Sequence, residues 1–240
     1  MASARLIAAR PCTDRATSSG AIRVKEVEEE LRRVYSSVVL GLNQLQDLRD
    51  LDTGCHSTRL AEWGVRVAVE LGLDESHQRN VEVACLLHDL GKIGVPDAIL
   101  HKPGPLTADE RAVMNLHPEY GWAVLRLFPD LHLAGLFALH HHEKMDGTGY
   151  PGRLRGDEIP MGARIVAVVD AFDAMVSDRC YRGGVGAEQA AARLLTDSGT
   201  HFDPDVVRYF VPLALEGAAE VARIVEPGRP SSGEPRAENA

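Results

Sequence analysis

The run Leu86-Leu87-His88-Asp89-Leu90-Gly91-Lys92-Ile93-Gly94 ends a segment in which apolar residues recur at helical spacing. The spacing predicts a helix over residues 75 to 90, with Asp74 as its N-cap and Gly91 at its close. Such a helix turns its apolar face toward a core. The His-Asp pair at its end is therefore predicted to lie beside that core.

Helical spacing also dominates the rest of the chain, and strand alternation is nearly absent. The sequence therefore predicts an all-α fold. Residues 1 to 22 and 226 to 240 lack an apolar period and are predicted to be disordered, leaving an N-terminal helix in 23 to 50 and a helical domain in 51 to 225. The other predicted helices cover residues 24 to 48, 56 to 71, 108 to 116, 119 to 128, 131 to 143, 160 to 177, 186 to 197 and 204 to 215.

The first predicted helix carries apolar residues at two heptad positions. One position holds Val24, Leu31, Val38 and Leu45, and the other holds Val27, Val34 and Leu48, with Gly41 as a gap. This pattern is typical of a parallel helix pair, so residues 24 to 48 could form a homodimer interface. The same residues could equally form the first helix of a bundle core.

Composition and charge argue against several classes of protein. The 240 residues carry a formal net charge of −9, which gives no overall positive field for DNA, RNA or an anionic membrane. No apolar run approaches the roughly 18 residues that a membrane span requires, and the N-terminus shows no secretory pattern, so a cytoplasmic protein is expected. Four widely spaced cysteines argue against a disulfide framework and against a thiolate metal site.

Imidazoles and carboxylates recur on separate predicted helices. They are His56, the pair His88 and Asp89, His117, the pair His141 and His142, and Asp170. A helical bundle can bring such inward-facing side chains together at a metal site. Neighbouring residues on a helix point about 100° apart, so we expect the members of each pair to serve two different metals, with a carboxylate bridging. The sulfur-free donor set fits Fe, Mn, Ni or Zn.

Two motifs together resemble a known family. The first is the run around His88 and Asp89, and the second is His141-His142-Glu143-Lys144-Met145-Asp146-Gly147-Thr148-Gly149-Tyr150-Pro151. With Lys102-Pro103-Gly104 and Asp170-Ala171-Phe172-Asp173-Ala174, they resemble the HD-GYP family of the HD phosphohydrolase superfamily over about residues 50 to 210. The resemblance implies a bacterial phosphodiesterase of second-messenger signalling that linearises cyclic di-GMP to pGpG and often on to GMP. It also implies an HD-domain helical bundle around two or three divalent metal ions, commonly iron or manganese.

The resemblance further implies which residues hold the metals. These are His56, His88, Asp89, His117, His141, His142 and Asp170. Asp89 would bridge two ions, and water activated between the metals would attack the phosphate, so no Ser or Cys nucleophile is required. Some members bind a third ion through a Glu four residues before the first His. Here Asp52 stands at that position, one methylene shorter.

Substrate contacts are implied in the same way. Lys92 would touch the scissile phosphate, where a fixed cation stabilises developing charge. Arg179 and Arg182 would contact phosphate bidentately, and Tyr150, in a loop over residues 146 to 152, would line the substrate groove. The implied catalytic set is His88, Asp89 and Lys92.

Three further polar residues near these motifs are expected to play supporting or no roles. Asp173, one turn after Asp170, is expected to support a ligand rather than bind metal, and Asp146 is expected to be a turn residue. His140 precedes the matching pair and is expected to lie outside the ligand set.

Other functions compete with this interpretation. The motifs do not distinguish cyclic di-GMP from a 3′,3′-linked cyclic GMP-AMP, because they report no base contacts. A non-catalytic cyclic-dinucleotide receptor would typically have lost the His-Asp pair or the Gly-Tyr-Pro sequence, and both are intact. A ferritin-like oxidase is disfavoured because the sequence contains no Glu-x-x-His pair.

Overall fold

The computed structural model describes residues 15 to 50, 55 to 177 and 184 to 225. Within these ranges there is no β-strand, only an isolated bridge between Ser198 and Phe202. The all-α prediction is confirmed. No helix in the same ranges is both long enough and apolar enough to span a membrane.

The described residues form α-helices joined by short loops and 3₁₀ turns. The α-helices are α1 (Arg15–Asp50), α2 (Cys55–Glu70), α3 (Glu75–Leu87), α4 (Asp97–Leu100), α5 (Ala108–Met114), α6 (His117–Leu125), α7 (His132–Leu139), α8 (Met161–Val176), α9 (Ala187–Thr196) and α10 (Pro204–Val225). The 3₁₀ helices are Leu90–Gly94, Pro129–Leu131 and Gly156–Glu158.

The described residues divide into two compact units, one that ends at Gly41 and one that begins at Leu42. In the first unit the described residues belong to α1, which begins at Arg15 rather than near residue 24. Residues 15 to 22, expected to be disordered, are therefore helical, because extending an existing helix costs less than nucleating one. The side chains of Val27, Leu31 and Val34 are exposed.

The second unit has its core where α2, α3 and α8 pack on one another. Aromatic rings close one end of this core: Trp63 meets Phe172 and Phe210 edge-on, at centroid distances of 5.5 and 5.6 Å. Such edge-to-face contacts add to the stabilisation that burial of the rings supplies. Trp63 thus joins α2 to α8 and α10. The largest fully buried side chains include Leu60, Leu87, Leu125, Leu131, Ile165, Leu194 and Phe210.

The last turns of α1 belong to the second unit. Gln46 donates to the Ser57 hydroxyl over 3.3 Å, and Arg49 donates to the Val95 carbonyl over 2.6 Å and to the Asp97 carboxylate. The break between units thus falls at Gly41 rather than at the expected boundary after residue 50. Residues 42 to 50 are polar on the face that makes these contacts, which the heptad pattern did not reveal.

Candidate metal centre

The residues predicted to bind metal converge from different helices of the second unit. His56 lies at the start of α2, His88 and Asp89 follow α3, His117 begins α6, His141 and His142 follow α7, and Asp170 lies within α8. Their donor atoms form three groups within which all atoms lie within 4.8 Å of one another: His56, His88 and Asp170; His117, His141 and His142; and His88, Asp89 and His141. The first two groups share no member, and the third joins them. Asp52 lies outside the described residues.

Three of these imidazoles are each hydrogen-bonded to the end of a helix. The Nδ1 atoms of His88, His117 and His141 lie 2.9, 2.8 and 2.6 Å from the carbonyl oxygens of Cys85, Met114 and Ala138, each three residues earlier. The last carbonyls of a helix have no intrahelical partner, so the ring N–H satisfies one of them. Because a carbonyl oxygen only accepts, Nδ1 carries a hydrogen, and in the neutral ring Nε2 is the nitrogen that keeps a lone pair.

Those Nε2 atoms are buried in the centre. Among the described residues, Nε2 of His88, of His117 and of His141 are buried side-chain atoms without a hydrogen-bond partner of acceptable geometry. Buried polar atoms left in this way are rare, and imidazole nitrogens grouped beside a carboxylate fit bound cations. The residues present therefore fit divalent metal ions.

Asp89 lies between the two separate groups. Its Oδ2 is 3.2 Å from Nε2 of His88, and its Oδ1 is 3.2 Å from Nε2 of His117. One oxygen thus faces each group, which is the arrangement that a bridging carboxylate requires.

The pair His141 and His142 does not behave as the helical estimate suggested. Both belong to the group with His117, and their ring centroids lie 3.8 Å apart. The rings come this close because α7 ends at Leu139, earlier than predicted, so the 100° rotation between helical neighbours does not apply. His141 also belongs to the group with His88 and Asp89, which His142 does not, so the expectation that the two serve different metals stays a prediction.

Close packing of the backbone brings His117 to the His-Asp segment. A side-chain carbon added at Gly91 would lie 1.8 Å from the His117 carbonyl oxygen, so only glycine fits there. The Leu90–Gly94 turn can therefore rest directly on the first turn of α6. This contact sets the distance between Asp89 and His117.

His56 is oriented by a buried carboxylate. Its Nδ1 donates to Asp173 Oδ2 over 2.5 Å, and its Nε2 lies 3.6 Å from Asp170 Oδ1. Burial would raise the pKa of Asp173, but hydrogen bonds from His56 and Arg59 lower it to about 2. This contact is the one expected of a carboxylate that supports a ligand, and the supporting role of Asp173 stays a prediction. Arg59 was missed from the sequence, although its position three residues after His56 places it on the same helical face.

Charge and burial shift other pKa values at the centre. Burial would raise the pKa of the Asp89 carboxyl, but the Lys92 ammonium and His88 lower it well below its usual range. Burial would lower the pKa of His88, yet the charge and hydrogen bond of Asp89 raise it to about 9, so a metal ion that bound Nε2 would displace a proton from it. Burial also lowers the pKa of His141, and it lowers that of His142 to about 4, so both rings are neutral and able to ligate at neutral pH.

Two of the predicted substrate contacts border the centre. Lys92 Nζ lies 2.7 Å from Asp89 Oδ2, and the Tyr150 ring stacks on the His142 ring at a centroid distance of 4.8 Å. Burial raises the pKa of the Tyr150 phenol, which keeps it protonated. Arg179 and Arg182 lie outside the described residues.

Residues near the Gly-Tyr-Pro loop, residues 146 to 152, include one group that the sequence did not single out. Asp146 accepts hydrogen bonds from the Thr148 backbone N–H and hydroxyl, as expected of a turn residue. His140 is absent from the candidate ligand groups of the described chain, and its Nδ1 lies 3.4 Å from Glu143. Glu143 is a buried carboxylate that was not predicted. A charged residue directly after a ligand pair was the available signal.

A model of the HD domain family matches residues 40 to 206 of the sequence. This chain belongs to the HD domain family. The resemblance to HD-GYP proteins expected from the motifs is confirmed at this level.

Named relatives of this HD domain chain act on cyclic dinucleotides. A cyclic di-GMP phosphodiesterase of Thermotoga maritima is 42% identical over 177 residues, which are 73% of this chain and 48% of the relative. The 3′3′-cGAMP-specific phosphodiesterase 2 of Vibrio cholerae is 41% identical over 180 residues, which are 74% of this chain and 34% of the relative. The chain therefore spans between a third and a half of the length of these two relatives.

A solved structure shares the fold. The V. cholerae cyclic GMP-AMP specific phosphodiesterase V-cGAP3 superposes with a TM-score of 0.56 at 19% identity, covering 79% of this chain and 52% of that one. At this identity the likeness shows a common HD fold.

Proposed function

We propose that this HD domain chain is a metal-dependent phosphodiesterase that hydrolyses cyclic di-GMP to pGpG, or onward to GMP. The observation that carries the proposal is the pair of ligand groups with Asp89 between them and buried Nε2 lone pairs directed inward. A two-metal site suits the displacement at a phosphoester because it can stabilise both the attacking and the leaving oxygen.

The metals would be held by His56, His88 and Asp170 on one side and by His117, His141 and His142 on the other, with Asp89 common to both. Imidazole and carboxylate donors are compatible with iron or manganese, which we propose as the resident ions. When bound, such ions lower the pKa of water and neutralise charge on the phosphate. A third ion would need Asp52. Metal analysis of Asp52→Ala should then show about one ion per chain fewer than wild type.

The remaining chemistry falls to side chains beside the centre. Lys92, a fixed cation next to Asp89, would stabilise the charge that develops on the phosphoryl oxygens. The protonated Tyr150 phenol can donate a hydrogen bond to a phosphate oxygen or to a guanine acceptor. We propose Arg179 and Arg182 as further phosphate contacts, since a guanidinium binds phosphate through two parallel hydrogen bonds.

The second candidate substrate is 3′,3′-cyclic GMP-AMP. The identity to a V. cholerae protein named for that substrate favours it, at nearly the same level as the identity to the Thermotoga protein. Both dinucleotides present the same phosphodiester to the proposed centre and differ in one base.

One experiment tests the activity, the metal and the substrate together. The full chain is purified anaerobically, metals are counted per chain, and hydrolysis of both dinucleotides is followed by chromatography. We expect at least two ions per chain and release of pGpG from cyclic di-GMP. Chelated protein should unfold at a lower temperature, because the ions bind only the folded state. A metal-loaded chain that leaves both dinucleotides intact would refute the proposal.

We also propose that α1 pairs with α1 of a second copy in parallel. The heptad residues Val27, Leu31 and Val34 are 68, 62 and 53% exposed, although a bundle-core helix would bury them. The same heptad repeat on an identical helix would cover them. Sedimentation of the full chain should give a dimer, and Leu31→Lys should give a monomer. A monomeric wild type at high micromolar concentration would contradict this pairing.

A further inference from the structure

The side chain of Glu143 is fully buried directly after the ligand pair His141 and His142. Its two oxygens accept hydrogen bonds from different backbone amides. Oε1 accepts from the Gly152 N–H over 2.6 Å, and Oε2 accepts from the Leu154 N–H over 3.0 Å. One carboxylate thus holds both the last residue of the Gly-Tyr-Pro loop, Gly152, and Leu154 just after it.

The middle of the loop, at Gly149 and Tyr150, contacts the segment of His142 and Glu143. The Tyr150 N–H donates to the His142 carbonyl over 3.2 Å. A side-chain carbon added at Gly149 would lie 2.5 Å from the Glu143 Cα and 2.6 Å from the His142 carbonyl oxygen, so the two backbones are in direct contact. Tyr150 lies between these two attachments with its ring against His142.

We infer that Glu143 is a positioning residue, which fixes Tyr150 beside the metal centre by holding the loop and does not itself bind metal or substrate. Both of its oxygens are engaged by the loop, and it belongs to none of the candidate ligand groups of the described residues. The inference rests on the proposed hydrolysis only where Tyr150 contacts substrate.

The chemistry of the clamp requires a carboxylate. Two backbone donors need two acceptor oxygens, and Glu supplies both from one buried side chain. Gln has the same shape but only one acceptor, and its NH₂ group would oppose the second backbone N–H. A buried donor without a partner is unfavourable, so Glu143→Gln should loosen the loop without leaving a cavity.

Two readouts test this position. The first is amide hydrogen exchange across residues 149 to 155, which we expect to be faster in Glu143→Gln than in wild type. The second is a double-mutant cycle in kcat/KM with Tyr150→Phe. Glu143→Gln should lower kcat/KM by about tenfold to a hundredfold, the range seen when supporting groups of active sites are removed, with metal content unchanged. In the Tyr150→Phe background its effect should fall below about twofold.

Glu158→Gln is the matched control. Glu158 also accepts a backbone hydrogen bond on this segment, from the Arg155 N–H over 2.9 Å, but it is exposed. This variant should keep wild-type kcat/KM and leave exchange of residues 149 to 154 unchanged.

Each contrary result is distinct. Unchanged exchange in Glu143→Gln, loss of metal from that variant, or effects of the two substitutions that multiply would each overturn the positioning role. A metal-loaded wild type that hydrolyses neither dinucleotide refutes the proposed function instead, and the exchange measurement then decides alone whether Glu143 holds the loop.

Discussion

The imidazoles of the candidate metal centre and the phenol of Tyr150 are fixed by different means. His88 and His141 are each held by a carbonyl three residues earlier, a contact that forms with the helix end itself. Tyr150 depends on a loop that folds back onto Glu143, with hydrogen bonds spanning nine and eleven residues. The proposed metal-binding side is thus built locally, helix by helix, whereas the proposed substrate-facing side depends on docking of a loop. Substitutions on the two sides should therefore separate loss of metal from loss of turnover.

The largest effect should come from His88→Ala. His88 belongs to two of the three ligand groups, so its removal takes a donor from both. We expect hydrolysis to be abolished and metal content to fall, with the helical fold retained in circular dichroism. The matched control is His77→Ala, because His77 is an exposed residue of the first turn of α3 whose ring contacts the Asp74 cap. Wild-type turnover in His88→Ala would remove the case for this centre.

Lys92→Ala tests a residue that lies where the two sides meet. Lys92 pairs with Asp89 yet is expected to act on substrate. We expect kcat to fall by about a hundredfold to a thousandfold, the loss typical when one electrostatic stabiliser of a transition state is removed, while metal content is preserved. If the variant lost bound metal but kept its turnover per bound metal, Lys92 would only support Asp89.

Lys102→Ala provides the control for Lys92. Lys102 also pairs with a carboxylate, that of Glu110 at 2.5 Å, but at a partly exposed position in the loop before α5. Exposed ion pairs of this kind contribute little to stability, so activity and stability should stay close to wild type.

The difference between the two sides also explains what could be predicted from the sequence. The fold class and the ligand candidates followed from helical spacing and from where His and Asp residues fall, because helix ends are local features. The grouping of His141 with His142 could not be predicted, since it depends on α7 ending at Leu139. The contact of Arg59 with Asp173 joins residues 114 positions apart, and only the packing of α2 against α8 brings them together.

The start of α1 and the role of Glu143 escaped prediction for related reasons. Residues 15 to 22 have no apolar period, so nothing in their spacing distinguishes a helical extension from a disordered end. Glu143 follows two ligand candidates, but a carboxylate there could bind metal, face solvent or hold backbone. Only the path of the loop through Gly152 and Leu154 decides among these.

Of the three variants His88→Ala, Lys92→Ala and Asp173→Asn, the last should give the smallest effect. It tests whether a residue that does not itself bind metal supports the proposed metal-binding side. Unlike His88, His56 is oriented by a carboxylate far away in the sequence, so this candidate ligand is not positioned by its own helix end. An amide keeps the shape of the side chain but loses the negative charge that attracts His56 and Arg59. We expect affinity for the metal, or kcat/KM at limiting metal, to fall about tenfold to a hundredfold, with activity recovering as metal is added. Asp205→Asn, on the exposed first turn of α10, is the control and should behave as wild type. If Asp173→Asn instead lost activity that no concentration of metal restored, Asp173 would act on the reaction itself and not through the orientation of His56.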